Sequence, residues 1–160
     1  DRTTSKTYVC EVDGSFPENV TKVMLKLRAD ADDKPKQVID EERGRPCETL
    51  VRVIERKEKS TFVELVPITG RTHQLRMHML GGGHPIRRDG LYSNEDVAKA
   101  LPRLALHART LEVNHPVTGE KVILEAPLDD FRGPQSLYVP FPCDEEKDSQ
   151  YKKRKRELAG

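Results

Sequence analysis

Apolar residues recur mostly at every second position of this chain, in short runs cut by glycine, proline and aspartate, the period of a strand with one buried face. Residues 7–12 form one such run, ended by Asp13, Gly14 and Pro17. From 20 to 27, Val23, Leu25 and Leu27 alternate with Lys22, Met24 and Lys26, and only Met24 breaks the period. Residues 28–46 are mostly polar, hold Lys34-Pro35-Lys36-Gln37 and the turn-forming Gly44, and are expected to be an ordered loop or a weak strand. Two β-branched runs, 49–54 and 61–66, joined by the charged link 55–60, predict a hairpin. A second hairpin is predicted from 111–113 and 121–124. Between them lies His115-Pro116-Val117-Thr118-Gly119, where proline suits the second position of a turn and glycine a left-handed one.

Two segments carry helix signals. Residues 73–80 are good helix formers, preceded by the potential capping hydroxyls of Thr69-Gly70-Arg71-Thr72 and stopped by Gly81, Gly82 and Gly83. Ser93, with Asp96 three positions on, resembles a capping box for a second helix that Pro102 should end near Leu101. Hairpins with two short helices, without regular strand-helix alternation or internal repeats, predict an α+β domain built on a mostly antiparallel mixed sheet. After Pro142 the chain turns to charge, so 1–142 is expected to be the folded part. Residues 143–160 are expected to form a disordered or partly helical tail.

Composition adds constraints. The 160 residues suit one domain or the larger part of one, and 28 basic against 27 acidic residues give +1, which alone is no signature of a polyanion partner. The distribution says more. No acid lies between Glu64 and Asp89, where Arg71, His73, Arg76, His78, His84, Arg87 and Arg88 all fall, so that segment can present local positive potential. No run approaches the roughly 20 apolar residues of a membrane helix, and the polar start DRTTSK is unlike a secretory leader. An intracellular protein is expected, cytoplasmic, or nuclear if the basic run 152–156 acts as an address. Cys10, Cys47 and Cys143 are odd in number and widely spaced, which predicts free buried thiols. His73 and His78 are five apart, about 140° around a helix, and lack the glutamate of a zinc-protease pattern, so no metal site is expected. No nucleophile elbow, phosphate-cradling loop or dinucleotide fingerprint is present, and no cofactor is expected.

The informative constellation is serial: Gly70-Arg71-Thr72-His73-Gln74-Leu75-Arg76 after a strand ending VPIT, then Gly83-His84-Pro85-Ile86 and Asp89-Gly90-Leu91-Tyr92. Leu106-His107-Ala108 and His115-Pro116-Val117-Thr118-Gly119-Glu120 follow. This order resembles the RluA family of RNA pseudouridine synthases, from Lys6 to Phe131, with Lys6-Thr7-Tyr8-Val9 similar to the family's KxY entry. The resemblance implies the C-terminal part of a pseudouridine synthase catalytic domain and an isomerase that detaches uracil from C1′, turns it and rejoins it through C5. The base is expected to flip into a pocket first. The family's catalytic aspartate sits in an HRLD-type motif ahead of KxY. No such motif occurs in this sequence, so the resemblance places that aspartate upstream of Asp1.

Roles then follow residue by residue. The resemblance makes Arg76 the guanidinium that pairs with the aspartate, which a planar fork can do bidentately. It makes Tyr8 the aromatic against the flipped base, where stacking is worth about 1–3 kcal/mol; on its own residues Tyr8 would be a strand tyrosine packing on the core. Arg71, His73 and Gln74, at a helix N-terminus that favours phosphate, are candidate RNA or motif-orienting contacts, with Lys6, Arg87 and Arg88 as further RNA candidates, although His73 and Gln74 could equally satisfy buried backbone groups. Gly70 is expected to allow close approach or an unusual backbone angle, and Thr72, Tyr92 and His107 to support the site. Arg88 departs from the pattern, which usually has glycine before the aspartate of its G-D-x-x-Y segment. The expected partner is a tRNA or rRNA stem-loop. Two functions compete: the larger portion of a uridine isomerase, or an inactive RNA-binding or scaffolding remnant of the same fold.

Overall fold

A computed structural model describes residues 4–99, 101, 103–128 and 131. The expectations for Pro102, Cys143, the tail and the basic run 152–156 fall outside these residues. Seven strands form one sheet: β1 (Ser5–Asp13), β2 (Lys22–Ala29), β3 (Gln37–Ile39), β4 (Arg45–Arg56), β5 (Ser60–Pro67), β6 (Leu106–Asn114) and β7 (Lys121–Glu125). Their order is β3-β2-β4-β5-β1-β6-β7, and every pairing is antiparallel, so the expected mixed sheet is antiparallel throughout.

The predicted hairpins form where the β-branched runs place them. In β4 and β5 the cross-strand pairs include Val51 with Leu65, and Arg52 with Glu64, whose side chains meet at 3.2 Å. β5 is buried at every position but Pro67, as a central strand covered on both faces must be. Its Phe62 stacks on Phe131, with ring centroids 6.1 Å apart. The β6–β7 turn is fastened by His115, whose carbonyl accepts from the Gly119 amide while its Nδ1 accepts from the amides of Val117 and Thr118. Gly119 takes the left-handed φ of 73° expected of it.

The polar stretch 28–46 is more ordered than its composition announces. It contains β3 and starts β4, and Asp40 organises the turn between them. One Asp40 oxygen accepts from the Glu42 and Arg43 amides and the other from Arg28 at 2.6 Å, and Arg28 first of all holds this carboxyl down to about 2. Gly44 passes so close to Asp40 and Lys26 backbone that a Cβ there would clash.

Two short helices complete the body: α1 (Gln74–Gly81) and α2 (Glu95–Lys99). α1 lies across β2, β3, β4 and β5. Leu75 and Met79 join the main core with Val9, Val51, Val63 and Leu65, while Met77 packs with Leu27 and Cys47. Its C-terminal end approaches β2 and β3 closely: a Cβ on Gly81 would sit 2.8 Å from the Leu25 side chain. The cap of α2 is Asn94, whose Oδ1 accepts from the Val97 amide at 3.1 Å; the expected cap, Ser93, instead gives its hydroxyl to the Asp89 carbonyl. Ahead of α2, residues 85–87 run beside the end of β1, with Val12 bridged to Ile86 and the Arg87 amide donating to the Glu11 carbonyl. Cys10 and Cys47 are free and buried, and burial pushes the Cys10 thiol up, out of the reactive range. No helix among the described residues is long and apolar enough to cross a membrane.

Two packing features yield tests. Arg88 holds a left-handed φ of 61°, which explains why a glycine suits this position. Arg88→Gly and Arg88→Ala both lose the guanidinium's bond to the Ala98 carbonyl, but only alanine keeps the strain. The glycine variant is expected to be the more stable by about 1 kcal/mol in urea unfolding; equal midpoints would refute the strain. His78 is fully buried with both ring nitrogens unpartnered, and burial lowers its pKa to about 4. Its unfolded counterpart binds a proton below about 6.5, so stability is held above that pH and lost as pH falls toward 4. About 2 kcal/mol should disappear between pH 7 and 5, and His78→Leu should lose that slope, measured by urea midpoints.

Candidate active site around Arg76

The entry to α1 differs from the expected threonine cap. His73 occupies the N-cap in a left-handed conformation, φ 52°, with no side-chain capping bond. The order comes from Gln74 instead. Its Oε1 accepts from the Thr69 hydroxyl at 2.7 Å and the Arg71 amide at 3.1 Å. Its Nε2 donates to the Glu48 carbonyl at 2.9 Å and the Thr49 hydroxyl at 3.0 Å. All four hydrogen-bonding positions of the amide are filled and the residue is buried. Gln74 therefore bolts α1 to β4 and satisfies buried backbone groups, the second of the two readings its sequence allowed, and its amide has no group left for an RNA contact. The expectation for Gly70 is corrected: its φ is not left-handed, and a Cβ there would meet nothing within 4 Å.

With its start fixed, α1 aims Arg76 at the segment 89–92. Nε donates to Asp89 Oδ2 at 2.8 Å and Nη2 to Oδ1 at 2.5 Å, a bidentate pair. The Asp89 side chain is 1% exposed and that of Arg76 15%, so the pair is sheltered but the guanidinium still reaches the surface. The hydrogen bonds to Asp89 raise the Arg76 pKa and keep the group charged. Asp89 Oδ1 also accepts from the Leu91 and Tyr92 amides, at 3.1 and 3.3 Å, which curls the segment so that the Tyr92 ring covers the guanidinium at 5.0 Å. Tyr92 Oη accepts from the Gln37 amide of β3 at 2.9 Å and lies 2.7 Å from His73 Nδ1. Burial, then the charge of Arg76, lowers the His73 pKa. A neutral ring is favoured, whose Nδ1 can accept a hydrogen bond from the Tyr92 hydroxyl.

Arg76 thus has a carboxylate partner inside this chain. Asp89 was passed over as a site residue, although one signal marked it: it is the acid that ends the acid-free stretch after Glu64. Among the described residues, Nη1 of Arg76 has no hydrogen-bond partner.

Tyr8 sits elsewhere. It pairs with Leu65 and Ala108 across the sheet and lines a mostly apolar concavity of about 300 Å³ with Lys6, Leu111, Leu124 and Ala126. Arg76 does not line this hollow, and among the described residues no hydrogen bond or ring contact joins it to Tyr8. His107 supports the Tyr8 side, its Nε2 lying 3.1 Å from the carbonyl of Ala126 on the hollow's wall, whereas Tyr92 supports Arg76. Of the other candidates, Lys6, Arg71, Thr72 and Arg88 are exposed. Arg87 is not free for RNA: Nη1 is 3.3 Å from Glu11, which is wholly buried, and Nε is 3.8 Å from Asp13. No group of three or more histidine, cysteine or acidic side chains able to hold a metal occurs among the described residues.

Comparison with known proteins gives the same picture. The family model described as RNA pseudouridylate synthase matches residues 1–80. The chain is 43% identical over 128 residues to the dual-specificity RNA pseudouridine synthase RluA of Pasteurella multocida, covering 79% of this chain and 58% of that protein. It is 39% identical over 152 residues to the protein of the same name from Vibrio cholerae, covering 95% and 62%. The chain therefore spans about six tenths of the length of these relatives. The solved structure of human RNA Pseudouridylate Synthase Domain Containing 1 superposes with a TM-score of 0.72 at 25% identity, covering 94% of this chain and 66% of that one. By motif order, fold and these likenesses, the chain belongs to the RNA pseudouridylate synthase family.

Proposed function

We propose that the whole protein isomerises uridine to pseudouridine in a structured RNA, and that these residues supply its arginine and its base-stacking tyrosine. The observation that carries this reading is the guanidinium of Arg76. One edge is committed to Asp89, Tyr92 covers a face, and Nη1 has no partner among the described residues. Such a fork is prepared to receive a second carboxylate. In this reading that carboxylate is the catalytic aspartate, contributed from outside these residues; the greater length of the relatives supports it.

The chemistry needs no external group. The N1–C1′ bond breaks, the free uracil turns within its pocket, C5 bonds to C1′, and the C5 proton leaves to solvent while N1 gains one. Arg76 keeps the acid ionised and oriented. Tyr8, over an apolar hollow with Lys6 at its edge, offers a ring face to the extruded base. Exposed Lys6, Arg71 and Arg88 meet the phosphates around it. In this reading tRNA and rRNA stem-loops are the substrates to try.

The test is release of tritium from C5-labelled uridine in tRNA and in rRNA fragments by the complete protein. Arg76→Lys keeps the charge but loses the fork, and is expected to lower turnover by roughly 100-fold with RNA affinity within about twofold. A wild-type rate in that variant would remove Arg76 from the mechanism, and RNA binding without any tritium release by the complete protein would favour a non-catalytic role.

A further inference from the structure

Resting on the reading just given, we infer that Asp89 is a positioning residue for the isomerisation: a second, permanent carboxylate that sets the plane and reach of Arg76 before the catalytic acid arrives. A guanidinium has two edges from which parallel N–H bonds can grip a carboxylate, one formed by Nε and Nη2 and one by Nη1 and Nη2. Asp89 takes the first, at 2.8 and 2.5 Å. Only the second remains, so the direction from which another acid can be gripped bidentately is fixed.

Asp89 is itself held too firmly to follow a moving arginine. Its Oδ1 takes the Leu91 and Tyr92 amides, its carbonyl takes the Ser93 hydroxyl, and its side chain is 1% exposed. The preceding Arg88 anchors the segment through its amide on the Val97 carbonyl. The same curl lays Tyr92 over the guanidinium, and Tyr92 is tied in turn to β3 through Gln37 and to the start of α1 through His73. Arg76 is therefore constrained at one edge by Asp89 and over one face by Tyr92. A surface arginine would lose side-chain freedom each time it engaged an acid; here that freedom is already gone, which is what preorganisation of a catalytic pair requires.

A like charge beside the incoming acid is a cost of this arrangement, and it separates the inference from a purely structural role. If Asp89 served only the turn at 89–92, replacing it would act on stability and leave Arg76's contribution intact. If it acts through Arg76, its loss matters only while the fork at position 76 exists.

The experiment is a double-mutant cycle in the complete protein, read by tritium release. Asp89→Asn keeps an oxygen for the Leu91 and Tyr92 amides but turns an N–H₂ toward the Arg76 edge, so the fork loses its grip while the turn keeps its acceptor. The expected result is a kcat lower by roughly ten- to hundredfold, KM for RNA within about twofold, and an Arg76→Lys/Asp89→Asn double variant no slower than Arg76→Lys alone. A folded Asp89→Asn protein with parental kcat, or a double variant whose loss is the product of the two single losses, overturns the inference. Should Asp89→Asn fail to fold, Asp89→Glu keeps charge and both oxygens but moves the fork by a methylene. It is expected to lower kcat at unchanged KM, and parental kcat there overturns the inference equally. A parent protein that releases no tritium from any RNA overturns the functional reading, and this inference with it.

Discussion

The pairing of Arg76 with Asp89 is the interaction on which the local architecture depends. Removing either partner of a sheltered ion pair costs roughly 3–5 kcal/mol, because the remaining charge keeps its burial and loses its compensation. Here the cost would spread. Asp89 also holds the amides that curl residues 89–92, that curl places Tyr92, and Tyr92 connects β3 with the first turn of α1. Geometry at one guanidinium thus couples elements that are far apart in sequence.

The sheet makes this possible by supplying a fixed floor. α1 has only two turns, too short to be stable alone, and its entry carries no side-chain cap. It holds its place because the Gln74 amide ties it to β4 through Nε2 and to the loop at Thr69 and Arg71 through Oε1, because Leu75 and Met79 enter the core, and because Gly81 lets its end lie close to Leu25. Of the three left-handed residues with side chains among the described residues, His73, Arg88 and Phe131, the first lies one turn before Arg76 and the second directly before Asp89, so the pair sits beside two positions of backbone strain.

Much of this was legible in the sequence. Alternating apolar residues located β1, β2, β4, β5 and both hairpins, since burial on a pleated sheet leaves a period of two. For β3 the sequence allowed a weak strand or an ordered loop without saying which or where: three residues on an edge bury too little to impose a pattern, and Asp40, Arg28 and Gly44 order that region through polar contacts without a periodicity. The helix ends were misread for a related reason. Thr69 and Ser93 are good caps by type, but each hydroxyl is claimed by another partner, Gln74 in one case and the Asp89 carbonyl in the other. Among site residues, motif order identified Arg76, yet no spacing rule says that a buried acid thirteen positions on will close upon it. Gln74 and Arg87 looked like RNA contacts because they are polar within a basic segment. Only coordinates show their groups spent on Glu48, Thr49 and Glu11.

The separation of Tyr8 from Arg76 is best understood through what each can do alone. Tyr8 borders a hollow built by β1, β6 and β7 whose surface is mostly apolar and suited to a ring, with Lys6 and Arg109 among its lining residues. Arg76 sits in a polar clasp suited to a carboxylate, with the Tyr92 ring already over one of its faces. In the proposed reading, an aspartate contributed from outside these residues joins the two: it binds the guanidinium's remaining edge at one end and meets the base over the Tyr8 ring at the other.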